Sequence, residues 1–330
     1  MHTHDIASGK TAKKKKLSFS GRHLIQTLAS AGTNAHIAGF IHGDIFKGAS
    51  KSVCVPGLNC YSCPGAIGSC PVGAFQAVAG SKKYNFAFYV TGMGMLFGAV
   101  FGRFICGFLC PFGFFQDLLH KIKAKRIKVP EKTDAVLRFT KYIILAIFVI
   151  LLPAFAVNAF GIAPPYFCKL VCPAGIFGGA LPLIIKNESL RTMLGFLFGW
   201  KSFFLALTVV FSVFIYRPFC KYICPLGAFY AFFNKIALYS MRIDTDKCTR
   251  CGACQRKCPM QVKIISPIKG GAKEEQTPRF FDVTSPECIR CQVCKSVCPH
   301  SAIDFGFVEK KAPCRHTVTA QDFTRKDQCI

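Results

Sequence analysis

Eight cysteines near the C-terminal end fall into two runs with one spacing. Cys248, Cys251, Cys254 and Cys258 precede Pro259, and Cys288, Cys291, Cys294 and Cys298 precede Pro299. Each run reads C-x2-C-x2-C-x3-C-P, the ligand spacing for paired [4Fe-4S] clusters. Three thiolates in a tight loop wrap one cube, and the fourth Cys of each run serves the other cube. The spacing therefore predicts cluster one on Cys248, Cys251, Cys254 and Cys298, and cluster two on Cys288, Cys291, Cys294 and Cys258. Proline after the fourth Cys suits the first turn of a helix, where its missing N–H costs nothing. Zinc or disulfides would explain a single run; two in tandem argue for iron and sulfide.

A second cysteine pattern lies upstream. Arg103-Phe-Ile-Cys106-Gly-Phe-Leu-Cys110-Pro-Phe-Gly matches Arg217-Pro-Phe-Cys220-Lys-Tyr-Ile-Cys224-Pro-Leu-Gly. Both read R-x-x-C-x3-C-P-x-G and both follow an apolar stretch. Cys at i and i+4 share one helix face. Pro after the second Cys makes that Cys the N-cap of a new helix, with its sulfur at the positive dipole end. Two such pairs supply four thiolates, so Cys106, Cys110, Cys220 and Cys224 are predicted to form an inner site, with the charges of Arg103 and Arg217 nearby. A third C-x3-C-P stands at Cys168 and Cys172. An outer site is expected from Cys168 and Cys172 with two of Cys60, Cys63 and Cys70; disulfides are the alternative there. Cys314 and Cys329 read as free thiols. His23, His36 and His42 do not make the facing pair that bis-His haem needs.

Elements must carry these residues. The chain is 52% apolar, holds 34 Phe, and concentrates its charge outside the apolar stretches, so a membrane is a better home than a soluble core. Its net charge of +26 suggests nucleic acid at first sight, but the basic blocks flank apolar segments, as membrane topology requires. Residues 84–102, 142–168 and 202–216 are the clear spans, the last extended through Lys201 by residues 193–200; Pro153 should kink the second. Residues 23–43 form a weaker candidate, so the fold class is a mainly α membrane protein of about four transmembrane helices with Cys-bearing half-helices. Gly94, Gly98 and Gly102 make a small-residue face for close helix packing. Between positions 103 and 141, nine Lys/Arg stand against three Asp/Glu, which places that loop in the cytoplasm. Cys168 and Cys172 then fall near the outer face and the twin runs in the cytoplasm. The domain reading is a basic cytoplasmic tail over 1–21, a transmembrane domain over 22–240, a small α+β two-cluster domain over 241–305 and a polar tail over 306–330. The N-terminal stretch lacks a clean apolar h-region and does not read as a signal peptide.

On the R-x-x-C-x3-C-P-x-G repeat and the twin runs, the chain resembles the membrane polyferredoxins of the NapH/NosR type, over roughly residues 22–304. The resemblance implies about four spans, a cytoplasmic two-cluster ferredoxin domain, and electron transfer between a quinone pool or cytoplasmic donor and an extracytoplasmic acceptor. The expected location is a prokaryotic cytoplasmic membrane, with redox partner proteins on both sides and no nucleic acid. Lys/Arg exceed Asp/Glu by 11 to 7 between Met241 and Phe305, which suits an acidic partner such as a soluble ferredoxin or flavodoxin. Two alternatives stand beside this electron conduit: a quinol dehydrogenase with its own quinone site, and a thiol/disulfide or maturation device using the outer cysteines.

Overall fold

The computed structural model describes residues 17–80, 87–156, 158, 163–192, 194–265 and 280–307. Cys314 and Cys329 lie outside them. Helix α1 (Leu17–Thr33) reaches from one buried cluster to another. Arg22 near its start bonds Asp117, and Asn34 just past its end bonds Asn59. Then come α2 (Pro71–Ala79), α3 (Ala87–Phe101), α4 (Phe104–Phe108) and α5 (Pro111–Leu119).

Two helices are long and apolar enough to cross a membrane, α6 (Glu131–Phe155) and α9 (Phe196–Phe214). Only 11% of each apolar window is buried, the reverse of a soluble protein's core helix. Phe139, Phe155, Phe196 and Phe203 project outward instead. Two of the about four expected spans are thus met by length among the described residues. α3 is apolar but 15 residues long, and α8 (Gly175–Lys186) is shorter. The stretch expected to span from 142 to 168 is divided: its helix begins at Glu131 and ends at Phe155, and Pro164 and Pro165 lead into a separate helix, α7 (Tyr166–Leu170). Pro153 is met by a π-helical stretch, Leu145–Leu151, and Pro182 in α8 by another, Gly175–Ala180. A proline removes the N–H owed to the carbonyl four residues back, and widened turns absorb that loss.

Two half-helices follow α9: α10 (Pro218–Tyr222) and α11 (Pro225–Phe233). The glycine face of α3 seats α11. A Cβ on Gly98 would stand 2.7 Å from the Phe233 ring, and one on Gly94 would stand 3.2 Å from Phe229.

The C-terminal unit is a three-stranded antiparallel sheet in the order β2-β1-β3, with β1 Tyr239–Asp244, β2 Phe280–Asp282 and β3 Ile303–Phe307. Met241 pairs with Phe305 and Arg242 with Asp282. Met241 and Ile243 alternate inward and are buried. Two short helices, α12 (Ala253–Arg256) and α13 (Val293–Val297), sit inside the cysteine runs.

Candidate functional site

The two C-terminal runs fold as copies of one loop. Six residues take positive φ at matched positions: Arg250 and Arg290, Gly252 and Gln292, Gln261 and Ser301. Each lies two, four or thirteen residues after the first Cys of its run. Left-handed backbone costs a non-glycine residue about 1–2 kcal/mol, so this repetition marks a loop shaped for what it encloses. Cys248, Cys251, Cys254 and Cys298 line one hollow. Cys258, Cys288, Cys291 and Cys294 line another. The fourth Cys of each run therefore stands with the first three of the other. Cys254 lies within electrostatic reach of Cys294, so the hollows are neighbours. Cys251 is exposed.

The upstream cysteines gather in two further groups. Cys106, Cys110, Cys220 and Cys224 are buried and within mutual electrostatic reach. Cys110 is the N-cap of α5, and its sulfur accepts the Gly113 N–H at 3.4 Å. Cys224 is likewise the N-cap residue of α11, before Pro225, but without a side-chain capping hydrogen bond. The second group is Cys60, Cys70, Cys168 and Cys172. Of the three candidates from the first loop, Cys60 and Cys70 face the Cys168/Cys172 pair. Cys63 sits beside Cys60 and donates to Asn34 Oδ1 at 3.4 Å.

The two arginines of the repeat cross over. Arg217 donates to the carbonyl of Cys106, and Arg103 to the carbonyl of Cys220 at 3.3 Å. Both are fully buried, and each is held by a carboxylate. Arg217 grips Asp117 in bidentate fashion at 2.7 and 2.6 Å, with Arg22 on the same carboxylate at 3.1 Å. Burial alone would raise the Asp117 carboxyl, but Arg217, Arg22 and the Gln26 amide hold it at about 2. Arg103 meets Glu287 at 2.9 Å, and Lys141 meets it at 2.5 Å. Burial pushes Glu287 up too, and the two cations bring it below its ordinary range. A third buried carboxylate, Asp134, lies between Arg138 and Lys221. Each of these three acids thus has two cations, the pairing that buried charge requires.

Contacts join the groups into a line. Tyr230 lies within reach of Cys106 and Cys110 on one side and Cys54 and Cys70 on the other. Its hydroxyl donates to the Pro56 carbonyl at 2.9 Å. At the other end of the inner group, the Ile289 carbonyl rests on Gly107, where a Cβ would collide with it. Ile289 follows Cys288 directly, so the second run's hollow abuts the inner thiols. In the matching half-repeat, Lys221 replaces glycine and bonds Gln261 Oε1 at 2.7 Å.

Two functional candidates escape the cysteine pattern: Gln76 and Gln116. Each donates its amide to a thiol sulfur, Cys168 at 3.3 Å and Cys220 at 3.1 Å. A shared C-P-x-G-x-x-Q string at Cys70 and Cys110 was the available signal. The donor sets fit iron–sulfur clusters: each is four soft thiols. Among the described residues no three His, Cys, Asp or Glu close on a point as the ligands of one metal ion do. The four thiols of a cube bind four different irons and stand apart.

The comparisons agree with this chemistry. A 4Fe-4S binding domain model matches residues 86–130, 143–186 and 196–243, and a 4Fe-4S dicluster domain model matches 247–303. An uncharacterized protein of Methanocaldococcus jannaschii is 31% identical over 222 residues, 64% of this chain and 75% of the relative. The regulatory protein NosR of Pseudomonas aeruginosa is 29% identical, over 48% of this chain and 20% of its own length. The ferredoxin-type protein NapH of Escherichia coli is 23% identical, over 59% of each. No solved structure matches.

Proposed function

The chain belongs to the NapH/NosR-type membrane polyferredoxin family of iron–sulfur electron-transfer proteins, and from that membership we propose that it conducts electrons across a prokaryotic cytoplasmic membrane. A cytoplasmic or quinone-pool donor stands on one side and an extracytoplasmic acceptor on the other. The observation that carries this reading is the unbroken line of four thiol sets. It begins at Cys60, Cys70, Cys168 and Cys172 and ends at Cys251, which is exposed.

Bound [4Fe-4S] clusters supply one-electron carriers whose potentials follow burial, charge and hydrogen bonding. The chain's residues prepare the places. Sixteen thiols would hold the clusters: the two crossed C-terminal sets, the inner set and the outer set. Arg103 and Arg217 lie against the inner thiols and offset the negative charge that ligation brings. The helix starts at Cys110 and Cys224 aim backbone N–H groups at the same place. Around exposed Cys251 stand Lys247, Arg250, Arg256 and Lys257, all exposed. That rim suits an acidic carrier such as a soluble ferredoxin or flavodoxin, drawn in by electrostatic steering. Iron and acid-labile sulfide per chain test the proposal on protein purified anaerobically in detergent. Four cubes give about 16 iron by four irons per cube; about 8 on the same count would leave only the C-terminal pair and sink the transmembrane wire.

One cavity favours a second reading, a quinol dehydrogenase. A space of about 380 Å³ is walled by Phe40, Phe112 and Phe177, with Asn34, Asn59 and Cys60 at its edge. Aromatic walls with a few amides suit a quinone head group. Reduction of the clusters by a quinol added to the purified protein alone would favour this reading; dependence on a protein donor would favour the conduit.

A further inference from the structure

Gln76 and Gln116 occupy one position in two copies of one string, C-P-V-G-A-F-Q from Cys70 and C-P-F-G-F-F-Q from Cys110. Both are fully buried. The Gln116 amide nitrogen is shared between the Phe112 carbonyl, four residues back, and Cys220 Sγ at 3.1 Å. The Gln76 nitrogen is shared between the Val72 carbonyl, four residues back, and Cys168 Sγ at 3.3 Å. In each case the sulfur belongs to the opposite C-x3-C pair and is its first Cys. The orientation of Gln76 is fixed from behind, because its Oε1 accepts the Phe167 N–H at 2.9 Å. Gln116 Oε1 has no partner. Turning that amide over would aim its oxygen at two acceptors, the Phe112 carbonyl and the sulfur, which is worse. A buried amide that leaves its own oxygen unpartnered to keep its nitrogen on a sulfur is poor design for packing alone.

We infer that Gln76 and Gln116 are matched positioning residues that set the reduction potentials of the outer and inner membrane sites. The inference rests on the cluster reading above. A hydrogen bond to a ligand sulfur stabilises the more negative, reduced state and raises the potential. Neither residue is a ligand, and neither is needed for four thiols to hold a cube. At the corresponding place the other two half-repeats carry Gly178 and Tyr230. Each site therefore receives one amide donor, from one of its two halves.

The test is an EPR-monitored redox titration of Q116M and Q76M, with iron determined per chain. Methionine keeps the length and removes the donor. The expected result is wild-type iron content with a lowered midpoint at one membrane site only, the inner for Q116M and the outer for Q76M. Wild-type iron with unmoved midpoints overturns the inference and leaves the wire intact. Loss of that site's iron also overturns it, since the glutamine would then be holding the site together. Wild-type protein with iron for the C-terminal pair alone overturns the cluster reading itself. A second measurement needs no variant: glutamine labelled with 15N in its side-chain amide should show a hyperfine coupling to the reduced membrane clusters. Absence of that coupling overturns the inference whatever the variants do.

Discussion

Arg217 and Asp117 form the most consequential pair of side chains outside the cysteines. Arg217 is completely buried, adopts a left-handed backbone with φ of 48°, and reaches Asp117 with two parallel hydrogen bonds. Replacing it with methionine leaves buried Asp117 with one cation, Arg22, and the Gln26 amide. The expected loss is about 3–5 kcal/mol, the usual result of breaking a buried pair from one side, read by thermal unfolding in detergent. Lysine should not rescue it, because an ammonium cannot match a bidentate carboxylate. The pH dependence follows from the same carboxyl. Its folded pKa of about 2 lies below the ordinary 3.8, so it stabilises the fold above pH 4. That contribution fades as pH falls through about 2. Between pH 5 and 8, unfolding of wild type and D117N should therefore differ by a constant amount. A gap that widens across that window would contradict the assignment.

The half-helices are where the C-terminal unit docks, and one glycine shows it. Gly107 sits between Cys106 and the Ile289 carbonyl, with no room for a methyl. The neighbour is backbone and cannot yield, so G107A should push the C-terminal unit away at a cost of about 1–3 kcal/mol. Limited proteolysis should then release that unit faster than in wild type; an unchanged rate would mean the contact bears no load. Much at this scale is legible in the sequence. Cysteine spacing gives the two crossed C-terminal groups, and the R-x-x-C-x3-C-P-x-G repeat gives the half-helices and their capping sulfurs. Gly94 and Gly98 of α3 mark the face that Phe229 and Phe233 fill. Span limits were harder to read, because Pro153 and Pro182 are absorbed by π turns rather than ending a helix. The arginine crossover was hidden, since the two residues bond carbonyls 117 and 111 positions away and no local pattern encodes that. The choice of Cys60 and Cys70 over Cys63 was likewise a matter of loop path.

At the scale of the whole molecule, the proposal makes a claim about sides. The Cys60 end and the twin-run unit lie at opposite ends of the line of thiol sets, so they should face different compartments. An amine reagent that cannot cross membranes, applied to spheroplasts, should modify exposed Lys47 and leave exposed Lys257 untouched. Modification of both, or of Lys257 alone, would refute the topology. The order of the four sets along the line also has a meaning in time. A ribosome delivers this chain from the N-terminus, and no set is complete until its last cysteine has emerged. The outer set closes at Cys172 and the inner set at Cys224; the two C-terminal sets close at Cys294 and Cys298. Synthesis thus finishes the sites in the order in which they stand, starting at the end farthest from the twin-run unit. Any machinery that inserts iron and sulfide during translation would meet the outer site first and the inner site next, before the C-terminal unit has been made and has closed against the inner one.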